Sequence, residues 1–280
     1  MKYIEIKAPA KINIGLSVLS KRADGYHNLS TLFYPITDLY DILTFQPADQ
    51  FNFSCSDKSL PLDSGNLVVK AKELLEKKMD KRISARIELK KKIPSQAGLG
   101  GGSSDAAATL ISLNEMFRLG LKHEDLLGIA LELGSDVPFF LRALPALGSS
   151  RGEILELVDL TITEPVLIVN PGINISTKEA FRKIIPADVK ADYSPLIKEG
   201  RLDFNFMRRN IRNDFEKYVF ELFPEIGEIK DMLNHAGALF SLMSGSGSTV
   251  YGIFEDVESA KKAEMEFPKN YFCFLSTPHH

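Results

Sequence analysis

The stretch Ile93-Pro94-Ser95-Gln96-Ala97-Gly98-Leu99-Gly100-Gly101-Gly102-Ser103-Ser104-Asp105-Ala106-Ala107-Ala108 joins a glycine loop directly to an alanine-rich run. Such a dense glycine run weakens a chain locally, because glycine loses the most backbone freedom on folding and packs no side chain. A loop without β-carbons lets several backbone N–H groups converge on one anion, and a helix that follows adds its free N–H groups and the positive end of its dipole. The stretch therefore predicts a polyphosphate site at the start of a helix.

Two familiar glycine signatures do not fit this loop. The Walker loop requires a lysine that is missing after Gly102, and the dinucleotide fingerprint requires a third glycine where Ser103 stands. A flexible linker is the alternative, but Leu99 within the loop, the strand-like run before it and the alanines after it count against free coil. The loop is predicted to bind phosphate by a different pattern.

Length and composition indicate a globular chain and exclude some partners. The 280 residues, 44% hydrophobic and 25% charged, suffice for one large domain or two modest ones. A net charge of -3 and a pI near 6.0 give no electrostatic footprint for nucleic acid or an anionic membrane. The N-terminus lacks a signal-peptide pattern and no apolar run approaches spanning length, so we expect a cytoplasmic protein.

The segment Lys11–Val18 alternates apolar and polar residues with a period of two, which predicts a strand. Its buried face would consist of Ile12, Ile14, Leu16 and Val18. Lys11 and Asn13 then share the opposite face, where Gly15 and Ser17 add little bulk. A lysine on a small, open surface is a candidate site residue, although an exposed strand lysine is often merely solvated.

Three further side chains are candidate site residues, and for each of them a purely structural role is the alternative. Tyr26 and His27 follow a predicted turn and could serve either packing or recognition. Asp136 precedes Val137-Pro138, so it is either the N-cap of a new helical turn or a carboxylate placed beside an apolar Phe-Phe floor.

Strands and helices interleave along the rest of the chain without a strict βαβ repeat, which predicts an α+β fold. We expect a helix from Ser103 to Phe117 with a serine cap, directly after the glycine loop. The segment Thr161–Pro165 is the predicted boundary between an N-terminal domain, residues 1–160, and a C-terminal domain, residues 161–280. Ser244-Gly245-Ser246-Gly247-Ser248 is either a second bare-backbone loop or a plain hairpin.

Three segments resemble, in order, the motifs of the galactokinase, homoserine kinase, mevalonate kinase and phosphomevalonate kinase superfamily, the GHMP kinases. They are Pro9–Asn13, Gly98–Ser104 and Met243–Gly247. The resemblance implies transfer of phosphate from ATP, with Mg²⁺, to an alcohol on a small molecule. It also implies a two-lobed fold with an N-terminal lobe like ribosomal protein S5 and a ferredoxin-like C-terminal lobe.

A narrower resemblance concerns Ala8–His27, Gly134–Phe140 and Gly152-Glu153. These segments are similar to the bacterial and plastid branch of the superfamily that phosphorylates the 2-hydroxyl of 4-diphosphocytidyl-2-C-methyl-D-erythritol in the non-mevalonate isoprenoid pathway. The alternatives are a homoserine- or mevalonate-type GHMP kinase, a non-catalytic nucleotide sensor on the same fold, and a purely structural domain. The resemblance further implies a small cytidine diphosphate derivative as substrate. From the charge balance we expect no nucleic-acid or membrane partner, and we expect a monomer or weak homodimer.

The resemblance also implies roles for single residues. Lys11 and Asp136 match the catalytic pair of the branch, and Asn13 matches a substrate contact. The positions that hold the cytosine are here Tyr26, His27 and Phe181. The ATP loop corresponds to Pro94, Ser95, Gln96, Ala97, Gly98, Leu99, Gly100, Gly101, Gly102, Ser103 and Ser104. Chemically, a carboxylate can take the proton of an alcohol as it attacks, and a lysine can keep that carboxylate ionised.

The chain departs from the branch pattern at two places. Ser95-Gln96 replaces small Gly/Ala residues early in the loop, which we expect to alter a ribose or phosphate contact. Arg142-Ala143-Leu144 replaces a glycine that is usual after the Phe-Phe-Leu run, and no functional effect is predicted for it.

Overall fold

A computed structural model describes residues 3–186, 193–198 and 200–277, and it has the interleaved α+β order that the sequence predicts. The described strands are β1 (Ile4–Lys21), β2 (His27–Pro47), β3 (Asn52–Cys55), β4 (Ala85–Lys90), β5 (Ala146–Ser149), β6 (Ile154–Leu157), β7 (Val166–Asn170), β8 (Ile197–Lys198), β9 (Arg201–Leu202), β10 (Phe240–Met243), β11 (Val250–Ile253) and β12 (Phe272–Ser276). The described helices are α1 (Leu67–Met79), α2 (Gly101–Met116), α3 (His123–Leu133), α4 (Val137–Phe140), α5 (Thr177–Lys183), α6 (Phe204–Asn210), α7 (Phe215–Leu222), α8 (Pro224–His235) and α9 (Val257–Glu264), with a 3-10 turn at Ser194–Leu196. Within these ranges, no helix combines the length and the apolar character needed to cross a membrane.

Contacts within the chain divide it into two compact units, each drawn from three segments. The first unit comprises Met1–Ala10, Pro35–Ser95 and Gly100–Leu144, and the second comprises Lys11–Tyr34, Gln96–Leu99 and Pro145–His280. Each unit consists of separated segments of the chain. This division therefore does not test whether two domains meet at one point of the sequence. The boundary between residues 160 and 161 stays a prediction.

The first unit contains the start of β1, the second half of β2, β3 and β4, together with helices α1 to α4. β3 lies parallel to β4, and β4 lies antiparallel to the second half of β2, with Phe45 opposite Ile87. Helix α2 packs against α1, α3 and α4. Helix α1 begins after Asn66, whose side chain accepts a hydrogen bond from the Val68 backbone amide and so caps the helix. The core consists of buried apolar side chains, among them Leu43, Phe45, Leu75, Ile87, Leu110 and Leu113.

Helix α2 begins two residues earlier than predicted. Its N-cap is Gly100, in left-handed backbone with φ +72°, and no side chain caps the helix. The predicted serine cap at Ser103 is therefore wrong. The glycine run already has helical backbone from Gly101 onward, so Ser103 and Ser104 lie within the first turn instead of before it.

In the second unit, the sheet β10-β11-β7-β12 is antiparallel throughout. Helices α8 and α9 pack against it, and the order along the chain is β7, helices, β10, β11, α9, β12. This strand order and connectivity confirm the ferredoxin-like arrangement. The same unit contains the first part of β2 paired with β5, and β5 paired with β6.

Strand β1 buries the predicted apolar face, since Ile12, Ile14, Leu16 and Val18 are at most 5% exposed. The predicted open surface on its other face is wrong, because Lys11 and Asn13 are only 3% and 2% exposed. A β-carbon on Gly15 would lie 2.9 Å from both Tyr193 Oη and Ile211 Cγ2. The small residue is needed because these side chains pack onto the strand.

Both departures from the branch pattern fall on left-handed backbone. Gln96 has φ +53° and Ala143 has φ +49°. The Ala143 amide donates to the Phe139 carbonyl at 2.9 Å, just past the end of α4, where helices commonly place a left-handed glycine. A β-carbon in this conformation costs about 1–2 kcal/mol, so the missing glycine leaves local strain.

We expect Ala143→Gly to raise the free energy of unfolding by up to about 1 kcal/mol, because relief of this strain outweighs the added freedom of glycine in the unfolded chain. Thermal denaturation followed by circular dichroism measures the change. The control is Ala263→Gly inside α9, where right-handed backbone makes the same substitution destabilising. A melting temperature lowered by both substitutions would contradict the strain at Ala143.

Candidate active site

The second unit places Lys11 in a buried cluster of polar groups. Its Nζ donates hydrogen bonds to Asn13 Oδ1 at 2.6 Å and to the Gly98 carbonyl at 2.8 Å. Asn13 Nδ2 donates to Thr31 Oγ1 at 2.9 Å, and Thr31 Oγ1 donates to the Gly15 carbonyl at 2.6 Å. The predicted site residues Lys11, Asn13 and Gly98 therefore lie together, each oriented by another. We call Lys11, Asn13, Gly98 and Ser244 the lysine cluster.

Ser244 completes this cluster from the second glycine loop. Its Oγ donates to the Gly98 carbonyl at 2.9 Å and accepts from the Asn13 amide at 3.2 Å. Gly98 has φ +77°, and a β-carbon there would lie 2.1 Å from the Ser244 carbonyl oxygen, which is far inside contact distance. Only glycine permits this approach, so the two glycine loops touch because Gly98 has no side chain.

The loop Ser244–Ser248 is more than a plain hairpin between β10 and β11. Asn213 Nδ2 donates to the carbonyls of Met243 and Gly245, at 2.7 and 2.8 Å. The Thr249 amide donates to the Ala97 carbonyl at 3.2 Å. Both ends of the loop are thus fixed, which keeps Ser244 in place beside Gly98.

The first turn of α2 supplies backbone donors in the first unit. The first helical hydrogen bond runs from the Ser104 amide to the Gly100 carbonyl at 2.9 Å. The amides of Gly101, Gly102 and Ser103 precede it and have no acceptor within the helix. Gly102 is exposed. Three adjacent amides at the positive end of a 16-residue helix can bind a phosphate group.

Asp136 stands at the predicted N-cap position of α4, but its side chain makes no capping hydrogen bond. It is partly buried and is followed by the buried ring pair Phe139 and Phe140, whose centroids lie 5.0 Å apart. The Phe-Phe pair that follows Asp136 is therefore buried, the predicted capping bond is not present, and the role of the pair as a floor for the carboxylate stays a prediction. Asp136 belongs to the first unit and Lys11 to the second. Their pairing stays a prediction.

Two of the residues predicted to hold cytosine lie in contact. The rings of His27 and Phe181 stack with centroids 5.4 Å apart and an angle of 24°. Phe181 also meets Phe215 edge to face at 4.8 Å, at the border of the core of the second unit. Burial and, to a smaller degree, the charge of Lys21 lower the pKa of His27, so its ring is neutral at pH 7.

Tyr26 is separate from this stack and 51% exposed. Its ring lies 4.5 Å from the guanidinium carbon of Arg151, a cation–π distance. Arg151, in the loop before β6, was not among the predicted site residues. Sequence reasoning also missed Thr31 and Asn213, because a buried threonine or asparagine carries no motif. Ser244 was visible as the first residue of the second glycine loop.

Comparison with protein families matches both parts of the chain. The pattern of the GHMP kinases N terminal domain matches residues 66–143, and the pattern of the GHMP kinases C terminal domain matches residues 201–272.

Comparison with curated proteins finds relatives over the full length. A 4-diphosphocytidyl-2-C-methyl-D-erythritol kinase of Chlorobium phaeobacteroides is 41% identical, with 99% of this chain and 98% of the relative covered. The protein of the same name from Thermoanaerobacter pseudethanolicus is 42% identical, with 99% and 96% covered.

Comparison with solved structures finds kinases of the same fold. A crystal structure of 4-(cytidine 5'-diphospho)-2C-methyl-D-erythritol kinase is similar with a TM-score of 0.81 at 33% identity, covering 99% of this chain and 100% of that one. Homoserine kinase from Cytophaga hutchinsonii has a TM-score of 0.70 at 22% identity, covering 99% and 95%, which shows a shared fold.

Proposed function

The chain belongs to the GHMP kinases, in the group of 4-diphosphocytidyl-2-C-methyl-D-erythritol kinases, and we propose that it transfers the γ-phosphoryl group of ATP to the 2-hydroxyl of that cytidine diphosphate derivative. It is a phosphotransferase with an alcohol as acceptor. The observation that carries the proposal is full-length identity of about 40% to kinases of this name, together with the buried lysine cluster at the motif positions.

The phosphate donor is ATP, as the family implies. We assign its phosphates to the loop from Pro94 to Ser104, because the amides of Gly101, Gly102 and Ser103 precede the first hydrogen bond of α2. Among the described residues there is no group of three or more His, Cys, Asp or Glu side chains that could hold a metal ion. Mg²⁺ commonly binds through substrate phosphates and water with few protein ligands. Mg²⁺ accordingly enters as part of the substrate MgATP.

In the proposed reaction Asp136 takes the proton of the attacking 2-hydroxyl. A carboxylate at this position can act as the general base for the alcohol, and its side chain makes no capping hydrogen bond to α4. Lys11 stabilises the negative charge that develops on the attacking oxygen. Hydrogen bonds from Lys11 Nζ to Asn13 Oδ1 and to the Gly98 carbonyl orient the ammonium group.

The cytosine is assigned to the surroundings of His27, Phe181 and Tyr26. A neutral imidazole offers one donor and one acceptor, which suits the polar edge of a pyrimidine. Phe181 and Tyr26 contribute aromatic surface, and base–aromatic stacking is worth about 1–3 kcal/mol per base. This remote binding energy would position a small alcohol for phosphoryl transfer.

The domain boundary, the cellular location and the oligomeric state also remain proposals. The division into lobes at residues 160 and 161 is supported by the two family patterns, which lie on opposite sides of it. The cytoplasmic location and the monomer or weak homodimer rest on the sequence and its family resemblance.

A coupled ADP-release assay tests the function. We expect ADP to form with 4-diphosphocytidyl-2-C-methyl-D-erythritol and not with homoserine, mevalonate or galactose, and we expect chelation of Mg²⁺ to stop it. Comparable turnover of homoserine or mevalonate would overturn the substrate assignment and leave the family intact. Binding of ATP without turnover of any of the four alcohols would identify a nucleotide sensor instead.

We expect Asp136→Asn to lower kcat by roughly 10²-fold or more with little change in either KM, because the amide keeps the shape and cannot accept the proton. Steady-state kinetics measure the effect. The matched control is Asp256→Asn at the N-cap of α9, where asparagine replaces aspartate at little cost. An Asp136→Asn enzyme with wild-type kcat would show that Asp136 has a structural role only.

A further inference from the structure

A buried ionic cluster lies in the first unit next to the start of α2. Its members, which we call the buried triad, are Asp41 in β2, Lys91 just after β4 and Asp105 in α2. Their side chains are at most 6% exposed. Lys91 Nζ donates to Asp105 Oδ2 at 2.9 Å and also to Asp41 Oδ2. The triad was hidden in the sequence, where Lys91 was one of three lysines at a strand end.

The triad fixes the backbone that leads into the glycine loop. Asp41 Oδ1 accepts hydrogen bonds from the amides of Lys92 and Ile93, at 2.5 and 2.9 Å. The Lys91 amide donates to Ser56 Oγ at 2.9 Å. Three successive amides are therefore held by side chains immediately before Pro94.

The triad also contacts the first residue of α2. A β-carbon on Gly101 would lie 3.2 Å from Lys91 Nζ and 3.0 Å from Ile93 Cγ2. The ammonium group thus lies directly against the turn whose free amides face the proposed phosphate site. Gly101 has a packing reason for lacking a side chain, whereas a β-carbon on Gly102 would meet only Leu67 Cδ1 at 3.6 Å.

The charges in the triad do not balance when all three groups are ionised, because two carboxylates share one ammonium. Asp105 Oδ1 is buried and has no hydrogen-bond partner among the residues that the structure describes. Burial raises the pKa of Asp105 to about 7; Lys91 opposes the rise and Asp41 adds to it. Lys91 stays protonated, since the attraction of Asp105 and Asp41 outweighs its burial and raises its pKa.

Two more ionisable groups face the triad, from the β3 side. Burial raises the pKa of the Cys55 thiol, so Cys55 is neutral at pH 7. Hydrogen bonds from Ser59 lower the pKa of Asp57, so Asp57 stays ionised. Neither group changes charge near pH 7, and Asp105 is the member that does.

We propose that the buried triad positions the phosphate-binding turn of α2 and that Asp105 is a positioning residue for ATP. ATP binds at full strength only while the triad carries no net negative charge, which in the wild type requires Asp105 to be neutral. With Asp105 neutral, Lys91 and Asp41 form a balanced pair. Ionised Asp105 adds an unbalanced negative charge one helical turn after the amides. This charge repels the ATP phosphates and lowers the positive potential that the helix N-terminus offers to them. The inference rests on the proposed use of this turn for ATP.

Isothermal titration calorimetry with MgATP, without the alcohol, tests the inference on the full chain from about pH 6 to about pH 8.5. Asp105→Asn is permanently neutral and nearly isosteric. We expect it to bind MgATP like the wild type at the low end and about 10-fold more tightly than the wild type at the high end, because one linked proton changes affinity by at most about tenfold per pH unit. Comparing the two proteins cancels the titration of the nucleotide itself.

Protein stability gives a second readout. The folded pKa of Asp105 lies above its unfolded value, so its contribution to stability is present at acidic pH and is lost as the pH rises toward about 7. Asp105→Asn should therefore gain stability relative to the wild type over this window. If Asp105→Asn does not fold, Asp41→Asn serves instead, since it leaves a balanced pair of Lys91 and Asp105 and should also remove the pH dependence of ATP binding.

The control is Glu76→Gln, which breaks the ion pair of Glu76 with Lys72 in α1 of the same unit. It should keep the pH dependence of the wild type. Identical pH dependence of ATP affinity in the wild type and Asp105→Asn overturns the inference, and so does a loss of affinity in Asp105→Asn at every pH. A wild type that binds ATP but phosphorylates none of the alcohols overturns the proposed function alone.

Discussion

The close approach of Gly98 to Ser244 is the contact on which the lysine cluster depends. The Gly98 carbonyl accepts hydrogen bonds from Lys11 and Ser244. This is possible only because Gly98 has no β-carbon, which would collide with the Ser244 carbonyl. Asn213 and Thr249 fix the ends of the second loop, and Asn13 and Thr31 fix the strand beside it. A single missing side chain thus lets two loops, separated by about half the chain, orient one ammonium group.

Phosphoryl transfer needs little covalent chemistry from the protein, so rigid placement of charges supplies most of the rate. Each unit orients its own polar groups. In the second unit, hydrogen bonds to Asn13 Oδ1 and to the Gly98 carbonyl orient the Lys11 ammonium group. The first unit contains the first amides of α2, which have no acceptor within the helix, and the buried triad lies against the same helix. Burial strengthens both arrangements, because charges interact more strongly away from water.

The sequence predicted the features whose signals are local. Alternation along β1 predicted its buried face, and the glycine run predicted the loop and the helix after it. The open surface beside Lys11 was wrong because Tyr193 and Ile211, which cover Gly15, lie far away in the chain. No local pattern reports such a contact.

The other misses have similar physical reasons. No sequence pattern marks Ser30 and Thr31 in the first half of β2 as buried. Thr31 Oγ1 accepts from Asn13 Nδ2 and donates to the Gly15 carbonyl, and the Ser30 carbonyl accepts from Tyr193 Oη. No local pattern marks Lys91 as buried, because its carboxylate partners come from β2 and α2. The serine cap of α2 was wrong because Gly100 adopts the left-handed backbone that starts the helix earlier.

The most direct measurement of the central contact is kcat/KM for ADP formation in Gly98→Ala compared with Gly172→Ala. Both glycines have left-handed backbone, at φ +77° and +79°, but a β-carbon on Gly172 meets nothing within 4 Å. The two variants therefore share the backbone strain and differ in the collision. We expect Gly98→Ala to lose at least ~10²-fold in kcat/KM through displacement of Lys11, and Gly172→Ala to keep the wild-type value. Equal kcat/KM in the two variants would contradict the account.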